Sequence, residues 1–409
     1  MRVIITGAQF KNKGAQSLLF CVVNELYNRY GNPEIYYVPL DDFRNYDTEL
    51  YRFNIVCGEN TPYRYEHHPC LRSVFIVEAM LKKMFGKGRM PVKDVVRLHN
   101  VLKDADVLID ISGFQIGSVW SVEHNLKELN YVHEAKRYGT KVVFMPQSFG
   151  PFDYGDKQAS MDKAIKESLS KADLIFAREE EGYQWLTEKY GLTNVYRGLD
   201  TVLQAHDLNL ENIYNVPVEK PVIRLKTENN VGIVPNFESL RTGNEEVILN
   251  LYEAVVKRLM ALGKNVYIFR HSKDLEVCRK IYEPFRNAPS VYLLEDDLDC
   301  IQYLEFVKQF DFIIASRYHS IVHAYKEGVP AVILGWAVKY RELAQNFAQS
   351  DYIFDITKLD TDDSFDTILE SIENMSVKHR EEKYKIEQKR LNNNENSCFD
   401  MCWRILDHC

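Results

Sequence analysis

The decapeptide ASRYHSIVHA, residues 315–324, concentrates side chains that are suited to acid–base chemistry and anion binding. It begins at the end of DFIIA, which is typical of a buried strand, and it continues into a short apolar helix that is expected to end at Gly328. Arg317 and His319 therefore stand where a strand ends and a helix begins, and there the helix dipole and free N–H groups favour anions. A guanidinium binds phosphate or carboxylate through two parallel hydrogen bonds, and an imidazole can act as an acid near neutral pH.

A zinc site is the competing interpretation, because His319 and His323 have the i, i+4 spacing of a metal-binding helix. The residue after His319 is Ser320, whereas the zinc motif H-E-x-x-H requires a glutamate there. His323 lies between apolar residues, which favours a structural or supporting role for it. We therefore expect an anion site without a metal.

A glycine-bearing loop, GAQFKNKGAQSLL, follows the first predicted strand and opens a helix near Gly14. Free N–H groups at such a helix start can bind an anion, although a plain turn that needs glycine for its dihedral angles has the same pattern. The loop fits neither G-x-G-x-x-G nor the Walker A pattern, so the sequence supports neither dinucleotide nor P-loop ATP binding.

Two further loops follow strands in the same half of the chain. In DISGFQIGS, Gly113 allows close backbone approach, and Asp110 is either a general base or the residue that caps the loop. In PQSFGPF, Gln147 and Ser148 are neutral hydrogen-bonding groups, which suit sugar hydroxyls or simply shape a turn.

The segments that position these loops alternate between short apolar runs and longer runs with helical periodicity. Runs that are apolar at nearly every position and rich in Val and Ile are typical of parallel strands covered on both faces. The alternation predicts βαβ units in doubly wound sheets, in which ligands bind beyond the carboxyl ends of the strands. The predicted strands are RVIIT (2–6), IYYVPL (35–40), ADVLIDI (105–111), KVVFM (141–145), DLIFA (173–177), VGIVP (231–235), NVYIF (265–269), VYLL (291–294), DFIIA (311–315) and AVIL (331–334).

The two series of strands predict an α/β protein with two Rossmann-like domains that face each other across a cleft. The N-terminal domain is expected to cover 1–204, and a polar stretch without clear periodicity, 205–228, is the predicted linker. The C-terminal domain is expected to cover 229–375, and the highly charged stretch that follows predicts a C-terminal helical segment, 376–409.

The composition limits the classes of protein to which the chain can belong. The 409 residues, 45% of them hydrophobic, suffice for two domains with their own cores, and the net charge of −8 argues against a nucleic-acid-binding protein. Eight cysteines without a CxxC pair are typical of reduced thiols in a cytoplasmic protein. We expect no signal peptide and no transmembrane segment, while weak attachment to a membrane surface stays compatible with this composition.

Taken in order, these loops resemble the polysaccharide pyruvyl transferase family, and the resemblance runs from end to end of the chain. It rests on N-K-G-A-Q (12–16), S-G-F-Q-I-G, P-Q-S-F-G-P-F, the A-R-E triplet around Arg178, Asp200, and S-R-Y-H-S followed by G-V-P-A-V-I-L and Lys339. The resemblance implies a fold similar to the GT-B glycosyltransferases. It also implies transfer of the pyruvyl group of phosphoenolpyruvate onto a sugar as a ketal, with release of phosphate.

The resemblance implies that Arg317 and His319 handle the donor and that Arg178 shares this work, with Lys339 in support. His319 is the candidate acid for protonation of the methylene carbon of phosphoenolpyruvate. The base for the sugar hydroxyls stays open among Asp110, Asp200 and His271. The other predicted substrate-binding residues are Asn12, Gly14, Gly113, Gln147, Ser148 and Ser320, and His271 is a candidate for substrate binding as well as for the base.

The chain departs from the family pattern at Ala15, where members commonly carry aspartate, and around Gly113, where many have a tighter run of glycines. These departures put the acceptor in doubt more than the donor. The expected acceptor is a sugar or lipid-linked oligosaccharide of an exopolysaccharide, capsule or cell wall. A lipid-linked acceptor would bring this cytoplasmic protein to the inner membrane face. We expect no cofactor. Two alternatives stay open: a nucleotide-sugar glycosyltransferase on the same fold, and an inactive carbohydrate-binding relative.

Overall fold

The computed structural model describes residues 1–10, 12–40, 49–56, 77, 100–220, 223–225, 228–359, 365–393 and 397–407. The chain forms two compact units. The N-terminal unit comprises Met1–Phe10, Leu18–Val218 and Asn396–Cys409, and the C-terminal unit comprises Lys11–Ser17 and Glu219–Glu395. Each unit is therefore assembled from separate pieces of the chain.

The N-terminal unit is built on a parallel sheet, with seven strands among the described residues, in the order β3-β2-β1-β4-β5-β6-β7. The strand order reverses between β1 and β4, and the register there places Thr6 beside Asp110. Such a reversal is where doubly wound sheets bind ligands. The strands are β1 (Arg2–Thr6), β2 (Glu34–Val38), β3 (Asn54–Ile55), β4 (Val107–Asp110), β5 (Lys141–Gln147), β6 (Leu174–Ala177) and β7 (Val195–Arg197).

Apolar helix faces complete the core of this unit. Helices α2 and α3 pack against each other, and residues such as Leu129, Val132 and Ile165 join the central strands in one buried cluster. The described helices of this unit are α1 (Lys13–Tyr30), whose first turn belongs to the C-terminal unit, α2 (Val122–Arg137), α3 (Gln158–Leu169), α4 (Glu180–Gln184), α5 (Thr201–Gln204) and α6 (Leu210–Ile213).

The C-terminal unit repeats this architecture with six described strands, all parallel, in the order β10-β9-β8-β11-β12-β13. The order reverses between β8 and β11, whose last residues Val234 and Ala315 are register partners. The loops after these two strands therefore begin side by side. The strands are β8 (Asn230–Val234), β9 (Asn265–Phe269), β10 (Val291–Leu294), β11 (Phe312–Ala315), β12 (Ala331–Gly335) and β13 (Ile353–Asp355).

The helices of the C-terminal unit lie between these strands and after the last one. They are α7 (Phe237–Thr242), α8 (Glu245–Ala261), α9 (Leu275–Tyr282), α10 (Cys300–Val307), α11 (Tyr318–Lys326), α12 (Val338–Asn346) and α13 (Asp366–Asn393). Helix α13 begins ten residues before the predicted terminal segment, because its first turns bury Ile368, Leu369 and Ile372 in the core of this unit. A last helix, α14 (Cys398–Leu406), packs with the N-terminal unit.

The α/β class and the two Rossmann-like domains are confirmed. All ten predicted strands are present, with ends that differ by a residue or two, and β3, β7 and β13 were missed. These three are short strands at sheet edges, where one side is unpaired and the apolar pattern is weak.

The predicted linker is only partly extended. It contains α6, and Tyr214 forms an antiparallel bridge with Tyr51 in the N-terminal unit, so that the two units divide at Val218 and Glu219. Within the described part of the chain, no helix has the length and apolar character needed to cross a bilayer. Among the described residues, five cysteines are buried and lie outside disulfide bonds, namely Cys21, Cys278, Cys300, Cys398 and Cys402. Cys57, Cys70 and Cys409 lie outside the described residues.

Candidate functional site

Arg317 lies at the carboxyl end of β11, in the extended residue that precedes α11. Its guanidinium forms a two-pronged ion pair with the fully buried Asp274, with Nε donating to Oδ2 at 2.8 Å and Nη2 donating to Oδ1. Asp274 also accepts from the backbone N–H of Phe237 at 3.0 Å. The guanidinium is thus held in one orientation, while a quarter of the side chain (25%) stays exposed to a ligand.

The turn that carries Arg317 is fixed by a buried network around Ser316. The amide of Asn236, which follows β8, donates to the carbonyl oxygen of Ser316 at 3.1 Å, and the Tyr340 hydroxyl donates to the same oxygen at 2.9 Å. The hydroxyls of Tyr252 and Ser316 are 2.6 Å apart. These bonds join the loops at the point where the strand order of the C-terminal sheet reverses, so Arg317 projects from a rigid base.

His319 lies in the first turn of α11, directly against the first turn of α1. A Cβ atom added to Gly14 would lie 2.3 Å from Cγ of the His319 ring and 2.4 Å from Nδ1, so only glycine leaves room for the imidazole. Asn12 accepts from the backbone N–H of Gly14 at 3.0 Å and thereby caps α1. The sequence assigned Asn12 and Gly14 to the N-terminal domain, whereas in the structure Lys11–Ser17 pack with the C-terminal unit.

Behind this contact, two buried histidines and a serine form a chain of hydrogen bonds. The Ser17 hydroxyl donates to the carbonyl oxygen of Lys13 at 2.8 Å and lies 2.6 Å from Nε2 of His323. Because the hydroxyl has one proton, Nε2 of His323 must donate to it, and Nδ1 of His323 then accepts from Nε2 of His271 at 3.3 Å. Burial, and next the charge of His323, lower the pKa of His271 well below its ordinary value. The His271 imidazole is therefore neutral near pH 7.

A further group of charges lies beside the first turn of α1. Nζ of Lys13 donates to Oδ1 of Asp297 at 2.7 Å, and Nη2 of Arg270, which directly follows β9, lies 3.7 Å from Oδ2 of the same carboxylate. The Lys13 side chain is almost completely buried, and this burial lowers its pKa although Asp297 acts in the opposite direction.

Lys339 and Ser320 complete the predicted residues of the C-terminal unit. The Lys339 ammonium lies 5.4 Å from the ring centroid of Tyr318 and 5.8 Å from that of Tyr340, which is within cation–π range. The Ser320 hydroxyl donates to the carbonyl oxygen of Arg317 at 2.6 Å and so contributes to the start of α11.

In the N-terminal unit, Asp110 ends β4 and organises the loop after it. One carboxylate oxygen accepts from the backbone N–H of Ser112 at 3.1 Å, from its hydroxyl at 2.6 Å and from Nε2 of Gln147 at 2.9 Å. The other accepts from the Thr6 hydroxyl at 3.3 Å. Burial raises the pKa of Asp110, and these hydrogen bonds offset the rise only in part. Asp110 therefore caps the loop after β4 and also binds a proton more tightly than an exposed aspartate does.

Arg178 is the centre of a second network in this unit. It donates from Nε to Glu179 at 2.9 Å, from Nη1 to Asp200 at 2.9 Å and from Nη2 to the Ser148 hydroxyl at 2.7 Å, and Nη2 also lies 3.4 Å from the carbonyl oxygen of Gly113. Asp200 in addition caps α5 through its own side chain. The network joins four loops, namely those that follow β4, β5, β6 and β7.

The predicted site residues thus fall into two groups, one in each unit. The C-terminal unit brings together Asn12, Gly14, His271, Arg317, His319, Ser320 and Lys339. The N-terminal unit holds Asp110, Gly113, Gln147, Ser148, Arg178 and Asp200.

Sequence reasoning missed Lys13, Arg270, Asp274 and Asp297. Arg270 and Asp274 follow β9, so the rule that ligands lie beyond strand ends points to the R-H-S-K-D stretch as well. Asp297 has no such signal. Among the described residues, no group of three or more His, Cys, Asp or Glu side chains is placed to hold a metal ion.

The chain has two parallel sheets, each with helices between its strands and with the predicted site residues in loops near the point where the strand order reverses. These features define a protein of two Rossmann-like domains. Similar folds occur in a trehalose-6-phosphate synthase, OtsA (11% identity, 100% of this chain and 99% of that chain, TM-score 0.54). They also occur in the UDP-GlcNAc 2-epimerase of Methanocaldococcus jannaschii (12%, 91% and 92%, 0.52) and in S. aureus TarM, solved with fondaparinux, α-GlcNAc-glycerol and UDP (13%, 97% and 100%, 0.52). At these identities the likeness concerns the fold alone.

The family is defined by sequence. The model of the family described as polysaccharide pyruvyl transferase matches residues 12–337, so the chain belongs to this family of transferases. A comparison with curated proteins gave no match.

Proposed function

We propose that this protein transfers the pyruvyl group of phosphoenolpyruvate to two hydroxyls of one sugar, forming a pyruvate ketal in polysaccharide synthesis. The observation that carries the proposal is the pair Arg317 and His319 at one helix start, with the imidazole held against Gly14. The family membership of the chain supports the same chemistry.

The donor requires fixed positive charge, because phosphoenolpyruvate carries a carboxylate and a phosphate close together. Arg317 is oriented in advance by Asp274, so little side-chain entropy is lost when it binds an anion. Lys339 is held over two aromatic rings and supplies a second cation beyond β12. The binding of the donor is therefore assigned to the predicted site residues of the C-terminal unit, which we call the donor group: Asn12, Gly14, His271, Arg317, His319, Ser320 and Lys339.

In the proposed mechanism, His319 delivers a proton to the methylene carbon C3, and C2 becomes electrophilic. The oxygen of one sugar hydroxyl forms a bond to C2 and gives up its proton, which restores the acid. The bond between C2 and the phosphate oxygen then breaks, and a second hydroxyl of the same sugar closes the ketal. One hydroxyl proton thus ends in the new methyl group and the other leaves with hydrogen phosphate, so no cofactor is needed.

The acceptor is assigned to the N-terminal unit, whose strand-ending loops carry the predicted residues Gln147 and Ser148. Gln147 is fully buried and bonded to Asp110 and Ser112, so it positions the loop, whereas the half-buried Ser148 lies nearer the surface of its network with Arg178 and Glu179. Asp110 is the proposed base for the second hydroxyl and passes the proton of this hydroxyl to the departing phosphate, since burial raises the pKa of Asp110 and brings its proton affinity closer to that of a working base. A sugar or lipid-linked oligosaccharide fits these groups, and a lipid-linked acceptor would bring the reaction to the inner membrane face.

The test is phosphate release from phosphoenolpyruvate with a panel of glycan acceptors, for the wild type and for His319→Ala. Loss of a general acid typically costs ~10²–10⁴-fold in rate, so we expect a decrease of that order with an unchanged circular dichroism spectrum. His379→Ala is the matched control and should keep full activity, since His379 lies on α13, outside the predicted site residues, and its ring bonds to the backbone carbonyl of Ser376.

Near-normal turnover of His319→Ala would remove the assigned role of this residue. A parallel titration with UDP- and GDP-sugars tests the glycosyltransferase alternative. Sugar transfer from a nucleotide sugar, without phosphate release from phosphoenolpyruvate, would replace the proposed function.

A further inference from the structure

Lys13 and Arg270 are two cations that the mechanism above does not use, although both are chain neighbours of residues in the donor group. Lys13 precedes Gly14, whose backbone touches the His319 ring, and Arg270 precedes His271. Both approach a single carboxylate, Asp297. The two cations therefore lie at the edge of the same group of side chains as Arg317 and His319.

The electrostatics of His271 place Lys13 near Arg317 and His319, and Arg270 in turn acts on the pKa of Lys13 through its charge. Lys13, His319 and Arg317 each lower the pKa of the buried His271 imidazole through their charge. Interactions between charges weaken with distance, and salt screens exposed charges beyond roughly 10 Å. The Lys13 ammonium and the Arg317 guanidinium thus both lie within electrostatic range of one imidazole.

The Lys13–Arg270 pair carries more positive charge than Asp297 neutralises. The side chains of Lys13 and Arg270 are only 4% and 19% exposed, whereas Asp297 is 65% exposed. In addition, Nε of Arg270 is buried and has no hydrogen-bond partner among the described residues. Buried cations and unused donors are costly unless an anion or acceptor satisfies them, so this arrangement is suited to a ligand with more negative charge than one carboxylate.

We propose that Lys13 and Arg270 form a second anion subsite, which binds the phosphate of the donor while Arg317 binds its carboxylate. Asp297 occupies this subsite in the free protein and is displaced when the phosphate binds. The proposal rests on the proposed function for the identity of the donor, but the subsite itself is defined by inorganic phosphate. A dianion matches two cations, and a lysine binds phosphate as a point charge.

A purely structural ion pair is the competing explanation, in which Asp297 only anchors the first turn of α1. The two explanations predict opposite results for Asp297→Asn. If Asp297 competes with the ligand, its neutralisation tightens phosphate binding, because the anion no longer displaces a carboxylate. If Asp297 only anchors α1, its neutralisation leaves phosphate binding unchanged or weakens it.

The experiment is calorimetric titration of the full-length protein with inorganic phosphate and, separately, with phosphoenolpyruvate. We expect Lys13→Gln to weaken both ligands about tenfold or more, which is the usual effect of losing a charge-assisted hydrogen bond. Asp297→Asn should tighten both roughly threefold to tenfold, by the same charge argument. Lys280→Gln is the control, since Lys280 forms a surface ion pair with Glu245 and should change neither.

Unchanged phosphate affinity in Lys13→Gln, or unchanged or weaker affinity in Asp297→Asn, overturns the subsite. If Lys13→Gln does not fold, Asp297→Asn decides alone, because a damaged fold does not tighten binding. Phosphate binding that depends on Lys13, without phosphate release from phosphoenolpyruvate, would keep the subsite and refute the proposed function. Turnover with an unchanged KM in Lys13→Gln would keep the proposed function and refute the subsite. A wild type that binds neither phosphate nor phosphoenolpyruvate would contradict the subsite and the proposed function.

Discussion

The two arginines that the family resemblance connects with the donor have different charge surroundings. Arg317 pairs with one carboxylate, Asp274, and keeps 25% of its side chain exposed. Arg178 is 5% exposed and contacts two carboxylates, Glu179 and Asp200. Since one cation between two carboxylates leaves a net negative charge, an anion is favoured at Arg317 rather than at Arg178. The position of Arg178 is better suited to holding the loops of the N-terminal unit together.

Gly14 gives a prediction at the level of a single atom. In Gly14→Ala, the added methyl group must displace the His319 ring, because the two would otherwise approach to 2.3 Å. Alanine favours a helix over glycine by up to about 1 kcal/mol, but the methyl group would also meet Cβ of His319 at 2.8 Å, and overpacking of this kind typically costs about 1–3 kcal/mol. We therefore expect a somewhat lower melting temperature together with at least about a tenfold loss of kcat/KM for phosphoenolpyruvate.

The measurement for Gly14→Ala pairs thermal unfolding with steady-state phosphate release. Full activity would mean that the exact position of the His319 ring does not matter. An unchanged melting temperature together with full activity would mean that the methyl group and the His319 ring do not meet.

At the level of elements, α14 closes the N-terminal unit with the last residues of the chain. Ser397 and Asp400 form a capping box at its start, and its apolar face buries Cys398, Phe399, Cys402 and Leu406. The helix packs on β5 and α5, and Gln204 of α5 accepts from the backbone N–H of Cys398 at 2.8 Å. A segment that the sequence describes only as terminal and helical is therefore part of the core of the N-terminal unit, bonded to a residue 194 positions earlier.

Phe399→Ala should destabilise the N-terminal unit by roughly 3–5 kcal/mol, the usual cost of a large cavity. Arg404→Ala, on the exposed side of the same helix, should change the free energy of unfolding by less than about 0.5 kcal/mol. Urea unfolding followed by hydrogen exchange of β5 and β8 separates the two units. Equal loss of protection in both strands would contradict the assignment of α14 to the N-terminal unit.

At the level of the whole molecule, the groups of site residues follow the units and not the halves of the sequence. Residues 12–17 lie between β1 and β2 of the N-terminal sheet in the sequence, yet they contribute their contacts to the C-terminal unit, against residues about 300 positions away. Binding of the donor should therefore affect residues near the N-terminus and residues about 300 positions later at the same time.

Hydrogen–deuterium exchange with phosphoenolpyruvate, in the absence of acceptor, tests this expectation. The amides of residues 12–17, 270–274 and 316–321 should become protected together, because they surround one group of charges in the C-terminal unit. The loop 110–118 of the N-terminal unit serves as the internal reference and should not change. Protection confined to 110–118 would move the donor to the N-terminal unit.

By itself, the sequence determined the class of fold and the places where ligand loops begin. Strand periodicity and the alternation with helices are local properties, and they located the ten longer strands and the loop with Arg317 and His319. Short edge strands such as β13 escaped because an unpaired side requires no continuous apolar pattern.

Only the tertiary structure decided which charged groups neutralise each other. Lys13 pairs with Asp297 across 284 positions of sequence, and Arg317 pairs with Asp274 across 43, and no spacing rule contains such partners. It likewise decided that Gly14 faces His319 and that the first turn of α1 belongs to the C-terminal unit. Electrostatics and close packing depend on distances in space, which the folded chain sets between residues that are remote in sequence.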